Sequence, residues 1–126
     1  MNDEKGNGDL RGRVKAFALR VIRLSGAVPR TLAGDVILRQ VVRSATSAGA
    51  QHREAYRSRS TAEFISKMES AVQELDESSY WLELLVEANL VTPKRLGALL
   101  AEADELTAIF VASVKTAKRS RTLGGR

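Results

Sequence analysis

The chain has 126 residues and no cysteine, is 44% hydrophobic but only 5% aromatic, and carries a formal net charge of +5. That length suits a single domain whose core is built from Leu, Val, Ile and Ala, and the missing cysteine excludes disulfides, thiolate metal sites and a cysteine nucleophile. The opening MNDEKGNGDL lacks an apolar signal core and no apolar run reaches membrane-spanning length, so a soluble cytoplasmic protein with no membrane partner is expected.

Four helices emerge in chain order. Leu10, Val14, Phe17, Val21, Leu24 and Val28 alternate spacings of four and three, the seam of an amphipathic helix. Pro29 ends it for want of an N–H, and Thr31 suits the N-cap of the next helix. The second seam is Leu38, Val41, Ala45, Ala48, His52 and Ala55, mostly small residues that let a neighbour come close. Gly49 beside it is read as a point of close helix approach. Ser60 and Glu63 form an S-x-x-E capping box, with the carboxylate expected to reach back to the cap amide.

The third seam runs Ile65, Met68, Val72, Leu75, Ser79, Leu82 and Val86, and Asn89 suits a left-handed position after the helix. Thr92–Pro93 starts a fourth helix, seamed by Leu96, Leu99, Ala103, Leu106, Phe110 and Val114. Nothing reads as a strand. Short links between long helices predict an all-α, antiparallel up-down-up-down four-helix bundle over residues 10–118, between a flexible N-terminus (1–9) and a flexible basic tail (119–126).

Charge is distributed in blocks. Residues 11–53 hold nine Lys or Arg against Asp35 alone, residues 54–105 hold five bases against eleven acids, and residues 106–126 hold five bases and no acid. Arg39, Arg43, Arg53 and Arg57 fall on one stripe of the second helix, with Thr46 and Ala50 between them, over roughly 27 Å. A ladder of that length spans several phosphates. Arg59 and the tail residues Lys118, Arg119 and Arg121 extend the basic set. A solvated charged face is the plainer interpretation of any such run. No aromatic residue interleaves with the stripe, so base stacking is expected to be slight. Glu69, Asp76, Glu83 and Glu87 form an acidic stripe on the third helix, able to meet the basic one within a subunit or between copies.

YWLELLVEANL is apolar nearly all round: Leu82, Leu85 and Val86 serve the bundle core, while Trp81, Leu84 and Ala88 project elsewhere. A second apolar side on a small bundle is most simply covered by another copy, so those three residues are expected at an oligomer interface. The alternative is that Trp81 folds over its own bundle edge. His52 is a lone histidine on a packed face and reads as a core residue, and Glu74–Glu77 and Glu102–Glu105 as solvated acid pairs. With no second histidine, no cysteine, no nucleophile–base pair and no phosphate-binding glycine loop, neither a metal site, a cofactor nor a catalytic centre is expected.

The stretch RSATSAGAQHREAYRSRSTAEFISKMESAVQELDESSYWLELLVEANLV, residues 43–91, resembles a bacterial four-helix-bundle family. Its members include proteins encoded in intervening sequences of 23S ribosomal RNA genes, and it is related to the accessory variability proteins of diversity-generating retroelements. The shared pattern is Arg43, Ser44, Ser47, Gly49, Arg53, Arg57, Arg59 and Ser60, then Ala62–Ile65, Asp76, Glu77 and Tyr80–Leu85. Gln51 and His52 depart from it. The resemblance implies a homo-oligomeric bundle, with a pentamer as the expected assembly, and through the retroelement relatives it implies RNA and a reverse transcriptase as partners. It implies no catalytic activity. Two readings follow: a self-assembling protein whose basic surface binds RNA or DNA, or an oligomer whose charge stripes serve subunit packing alone.

Overall fold

The computed structural model describes residues 2–123, and side chains from Asp9 onward. Helix α1 spans Asn2–Arg23, α2 Leu32–Ala55, α3 Thr61–Glu87 and α4 Pro93–Leu123, and there is no strand among the described residues. The helices form the expected antiparallel four-helix bundle. Helix α3 packs most extensively, against α2 and α4, while α1 lies chiefly on α2 and only lightly on α4.

The boundaries follow local chemistry. Helix α1 ends at Arg23 and tightens into a 3-10 turn, Leu24–Ala27, before Val28 turns extended ahead of Pro29. Leu24 and Val28 nevertheless stay buried, so the seam outlasts the α-helix. Thr31 caps α2, its Oγ1 accepting from the Gly34 amide at 3.0 Å. Ser60 caps α3, its Oγ accepting from the Glu63 amide at 3.1 Å. The return bond of this box differs from expectation: the Glu63 carboxylate accepts from Arg59 N–H at 3.0 Å, one residue before the cap. The box is therefore one residue wider than expected.

Asn89 has φ 60°, the left-handed position after α3. Leu90 N–H donates to the Leu85 carbonyl at 2.9 Å and Asn89 N–H to that of Val86 at 3.0 Å, the paired bonds that close a helix end around such a residue. Thr92 Oγ1 accepts from Arg95 N–H at 3.3 Å and starts α4.

Helix is found where flexible ends are expected. The α1 helix begins at Asn2 rather than near Leu10, and α4 continues through residues 119–123; residues 124–126 of the expected tail lie outside the described residues.

The core joins Val14, Phe17 and Val21 of α1 to Val41, Ala45 and Ala48 of α2. From α3 come Met68, Ala71, Leu75, Leu82 and Leu85, and from α4 Leu96, Leu106 and Phe110. Of the expected seam residues, Leu10, Leu38, Val72 and Val86 are only partly buried at the edges. Ala71, Ser78 and Leu85, all buried, show that the packed side of α3 leans further toward α2. Small residues make this approach possible. Ser44 and Ser78, both fully buried, face each other across α2 and α3 with their hydroxyls 2.7 Å apart.

Two glycines behave differently. A Cβ on buried Gly34 would lie 2.7 Å from the Pro29 carbonyl oxygen, so only glycine lets the chain fold back onto the start of α2. At Gly49 a Cβ would meet only Val14 Cγ1, at 3.5 Å. That is ordinary contact, and the close approach expected at Gly49 is not found; α1 stands off far enough to leave a groove.

Candidate functional site

Arg39, Arg43 and Arg53 lie on the outward side of α2, whereas Arg57, expected on the same helix, falls in the turn after α2 ends at Ala55, and the four meet different surroundings. Arg43 is occupied: Nη1 donates to Glu74 at 3.3 Å, Nη2 to Glu77, and Nε to Gln40 at 3.3 Å. These bonds, led by the one to Glu77, hold Arg43 charged more firmly than a free guanidinium. Glu77 also accepts from the Trp81 indole N–H at 3.1 Å. The indole, then the guanidinium, keep that carboxyl below the usual carboxylate range. Arg43 therefore stitches α2 to α3. Among the described residues, three arginines of the stripe, not four, are without an ion pair and remain for a polyanion.

Arg39 borders a shallow hollow with Ser25 and the Arg30–Asp35 ion pair, near the start of α2. Arg53 and Arg57 face the other way, into a groove of about 490 Å³ between α1 and α2. Arg11 and Lys15 of α1 form its opposite wall, and the floor is small and apolar, built from Val14, Ala18, Gly49 and Ala50. Among the described residues none of these four cations makes an ion pair. Among the described lining residues the carboxylate is that of Glu54, which is engaged by Lys67 at 2.9 Å.

His52 closes the inner side of the groove. It is buried, stacked on Phe110 with ring centroids 4.9 Å apart and set edge-on to Tyr56 at 5.1 Å. Its Nε2 has no hydrogen-bond partner. Burial first, then the charges of Arg11 and Arg53, lower its pKa from 6.5 to about 4, so the ring is neutral near pH 7.

At the same pole Arg59 lines a second hollow with Tyr56, Phe64 and Ser120, which brings the α2–α3 link beside the end of α4. Arg119 and Arg121 are exposed there on the last turns of α4, whereas Lys118 is tied to Glu69 at 2.9 Å. Tyr56, 42% exposed, stands next to Arg57 and edge-on to Phe64 at 5.2 Å. It is an aromatic at the end of the basic stripe, where none is expected from the stripe itself. Arg11 and Lys15 likewise escape the sequence reading, which takes charges one helix at a time and cannot see which side of α2 receives α1.

The acidic stripe does not face the arginines. Arg43 takes Glu74 and Glu77, on the α2 side of α3. Of the stripe itself Glu69 meets Lys118, while Asp76, Glu83 and Glu87 have no ion pair among the described residues. The acids of α4 are not simply solvated. Arg13 of α1 donates through Nε to Glu102 at 3.1 Å, and through Nη2 to Glu102 at 2.7 Å and Glu105 at 2.8 Å.

At the expected interface, Trp81 is half-buried against its own core, Leu84 is half-buried and Ala88 is exposed as the C-cap of α3. Tyr80 beside them is 54% exposed. No group of three or more His, Asp or Glu among the described residues is placed to share a metal ion, and no helix is long and apolar enough to cross a membrane.

The fold is shared with a solved structure. A protein of unknown function from the S23 ribosomal protein family of Bacteroides thetaiotaomicron is 30% identical, with a TM-score of 0.79, over 84% of this chain and 98% of that one. Comparison with curated proteins finds no match. The model of the 23S rRNA-intervening sequence protein family matches residues 10–112, from the first buried turn of α1 to beyond Phe110 of α4. With most of the bundle covered, the chain belongs to the 23S rRNA-intervening sequence protein family.

Proposed function

We propose that this protein is a non-enzymatic, self-assembling helical bundle whose basic surface binds nucleic acid. The observation that carries this reading is the set of cations at one pole that have no carboxylate partner among the described residues: Arg53, Arg57 and Arg59 with Arg119 and Arg121. Arg43, Lys67 and Lys118, by contrast, are held by carboxylates of the bundle. A cluster left unpaired at one end is a low-energy landing place for phosphates, because no internal salt bridge must break first. Assembly into a homo-oligomer, with a pentamer as the expected state, would repeat the cluster and add avidity.

The test is a salt titration of RNA and DNA binding by the wild type and by an Arg53, Arg57, Arg59→Gln variant, with light scattering on both. Weakened binding at unchanged subunit number supports the reading. Co-purification from native cells then identifies the partner, with a reverse transcriptase the expectation from the retroelement resemblance.

A second reading, a structural oligomer that binds no nucleic acid, draws on Asp76, Glu83 and Glu87, which have no intramolecular cation among the described residues. In that case the arginines of one copy meet the acids of the next, and the same variant falls apart into smaller species.

A further inference from the structure

From the α1–α2 groove we infer that the nucleic-acid ligand is taken as a single strand, seated between two helices instead of lying across the outside of the ladder. The inference rests on the nucleic-acid reading above and specifies which surface performs it and on what substrate.

The groove has cations on both walls, Arg11 and Lys15 from α1 facing Arg53 of α2 and Arg57 in the turn just after it. Its floor is formed by Gly49 and Ala50 together with aliphatic side chains of α1, so backbone and small side chains leave the centre open. A two-walled seat surrounds one chain of phosphates. A duplex presents two backbones, across grooves about 6 and 12 Å wide in B-form DNA and across a wide, shallow minor groove in RNA, instead of the one chain of phosphates that two facing walls enclose. An apolar floor below a ring of cations suits the mixed chemistry of an unpaired strand, whose phosphates seek charge while sugars and base faces seek apolar cover.

The outward ladder has less to offer. Arg43 is consumed by Glu74 and Glu77, and Arg39 stands in another hollow. Only Arg53 and Arg57 of the stripe remain together, and both are groove residues. Gly49 also gives the floor a chemical handle. A Cβ there meets only ordinary contact with Val14, so a substitution can start a charged side chain at the bottom of the trench.

The experiment uses the full chain and two probes, a fluorescent oligouridylate of about twenty nucleotides and an RNA duplex of equal length, beyond the usual single-strand site size. The groove variants are Gly49→Asp and the double variant Arg11→Gln, Lys15→Gln. Ala101→Asp, on the exposed side of α4, repeats the charge change of the first away from the groove. The groove variants are expected to bind the single strand at least tenfold more weakly, and Ala101→Asp within about twofold of wild type. Loss of two phosphate contacts is expected to flatten the slope of log affinity against log salt by about 1.4, from roughly 0.7 per contact on single strands. Circular dichroism checks that the bundle persists, and the double variant, confined to partly or fully exposed side chains, keeps the test valid if Gly49→Asp loses helix.

Wild-type binding of the single strand by the double variant overturns the groove and leaves nucleic-acid binding to the rest of the basic pole. A duplex bound more tightly than the single strand overturns the one-strand seat. A wild type that binds neither probe at low salt overturns this inference and the proposed function together.

Discussion

Ser44 and Ser78 share a hydrogen bond of 2.7 Å at the centre of the α2–α3 contact, where neither side chain is exposed. Ser78 Oγ also donates to the Glu74 carbonyl at 2.9 Å. Either hydroxyl can donate between the two, and the shorter carbonyl bond of Ser78 favours Ser44 in that role. Among the described residues the other acceptor for Ser44 is the Val41 carbonyl at 3.3 Å. Removing Ser78 leaves Ser44 a long bond within its own helix, while removing Ser44 leaves Ser78 its carbonyl. A double-mutant cycle of Ser44→Ala and Ser78→Ala, followed by urea unfolding, is expected to show coupling of about 1 kcal/mol, with Ser78→Ala the costlier single change. Strict additivity would mean the two hydroxyls do not act as a pair.

His52 makes stability depend on acid. Its folded pKa is lowered to about 4, by burial and then by Arg11 and Arg53, whereas an unfolded histidine titrates near 6.5. Between those values the unfolded chain binds the proton and the folded chain does not. Stability therefore falls as pH drops through that window, by up to about 3 kcal/mol once both limits are passed. In His52→Phe this histidine contribution between pH 6.5 and 4 is expected to disappear. Equal acid sensitivity in the two proteins would place the proton elsewhere.

The same substitution at two glycines is expected to have opposite signs. Gly34→Ala forces a methyl against the Pro29 carbonyl oxygen at 2.7 Å, and backbone cannot yield as a side-chain tip can. A loss of about 1–3 kcal/mol is expected. Gly49→Ala meets only ordinary contact with Val14 and removes a flexible residue from the interior of α2. A gain of roughly 0.5–1 kcal/mol is expected, read as a higher melting temperature.

Arg13 fixes α1 to α4 through three hydrogen bonds to two carboxylates. The contact is partly exposed, with Arg13 at 36%, so water and salt screen it. Arg13→Gln is expected to cost about 1 kcal/mol at low salt, and less as salt rises. A cost independent of salt would assign the loss to packing of the arginine stem.

The features legible in the sequence are those decided within a few residues. Thr31, Ser60, Asn89 and Thr92 each act on atoms in their own turn, so the helix boundaries they mark are found in place. The period of the seams likewise depends on one helix at a time. The fate of the arginines is decided at a distance. Arg43 is captured by Glu74 and Glu77, 31 and 34 residues along the chain. Arg53 and Arg57 acquire a facing wall only because α1 docks on that side of α2. Gly34 and Gly49 look alike in the sequence, and only the path of the chain around Pro29 tells them apart.

The light packing of α1 has a consequence for how the molecule breathes. Helices α2, α3 and α4 form a continuous body, each packed against its neighbour in the chain, while α1 depends on one full interface and a partly exposed latch. Such an element opens at a lower free energy than the body it rests on, and its amides exchange with solvent while those of α3 stay protected. Opening uncovers Val14, Phe17 and Val21 and dismantles one wall of the groove in the same motion. A strand held between the walls opposes that motion, so slowed exchange in α1 would register occupancy of the groove at a helix that supplies only half of it.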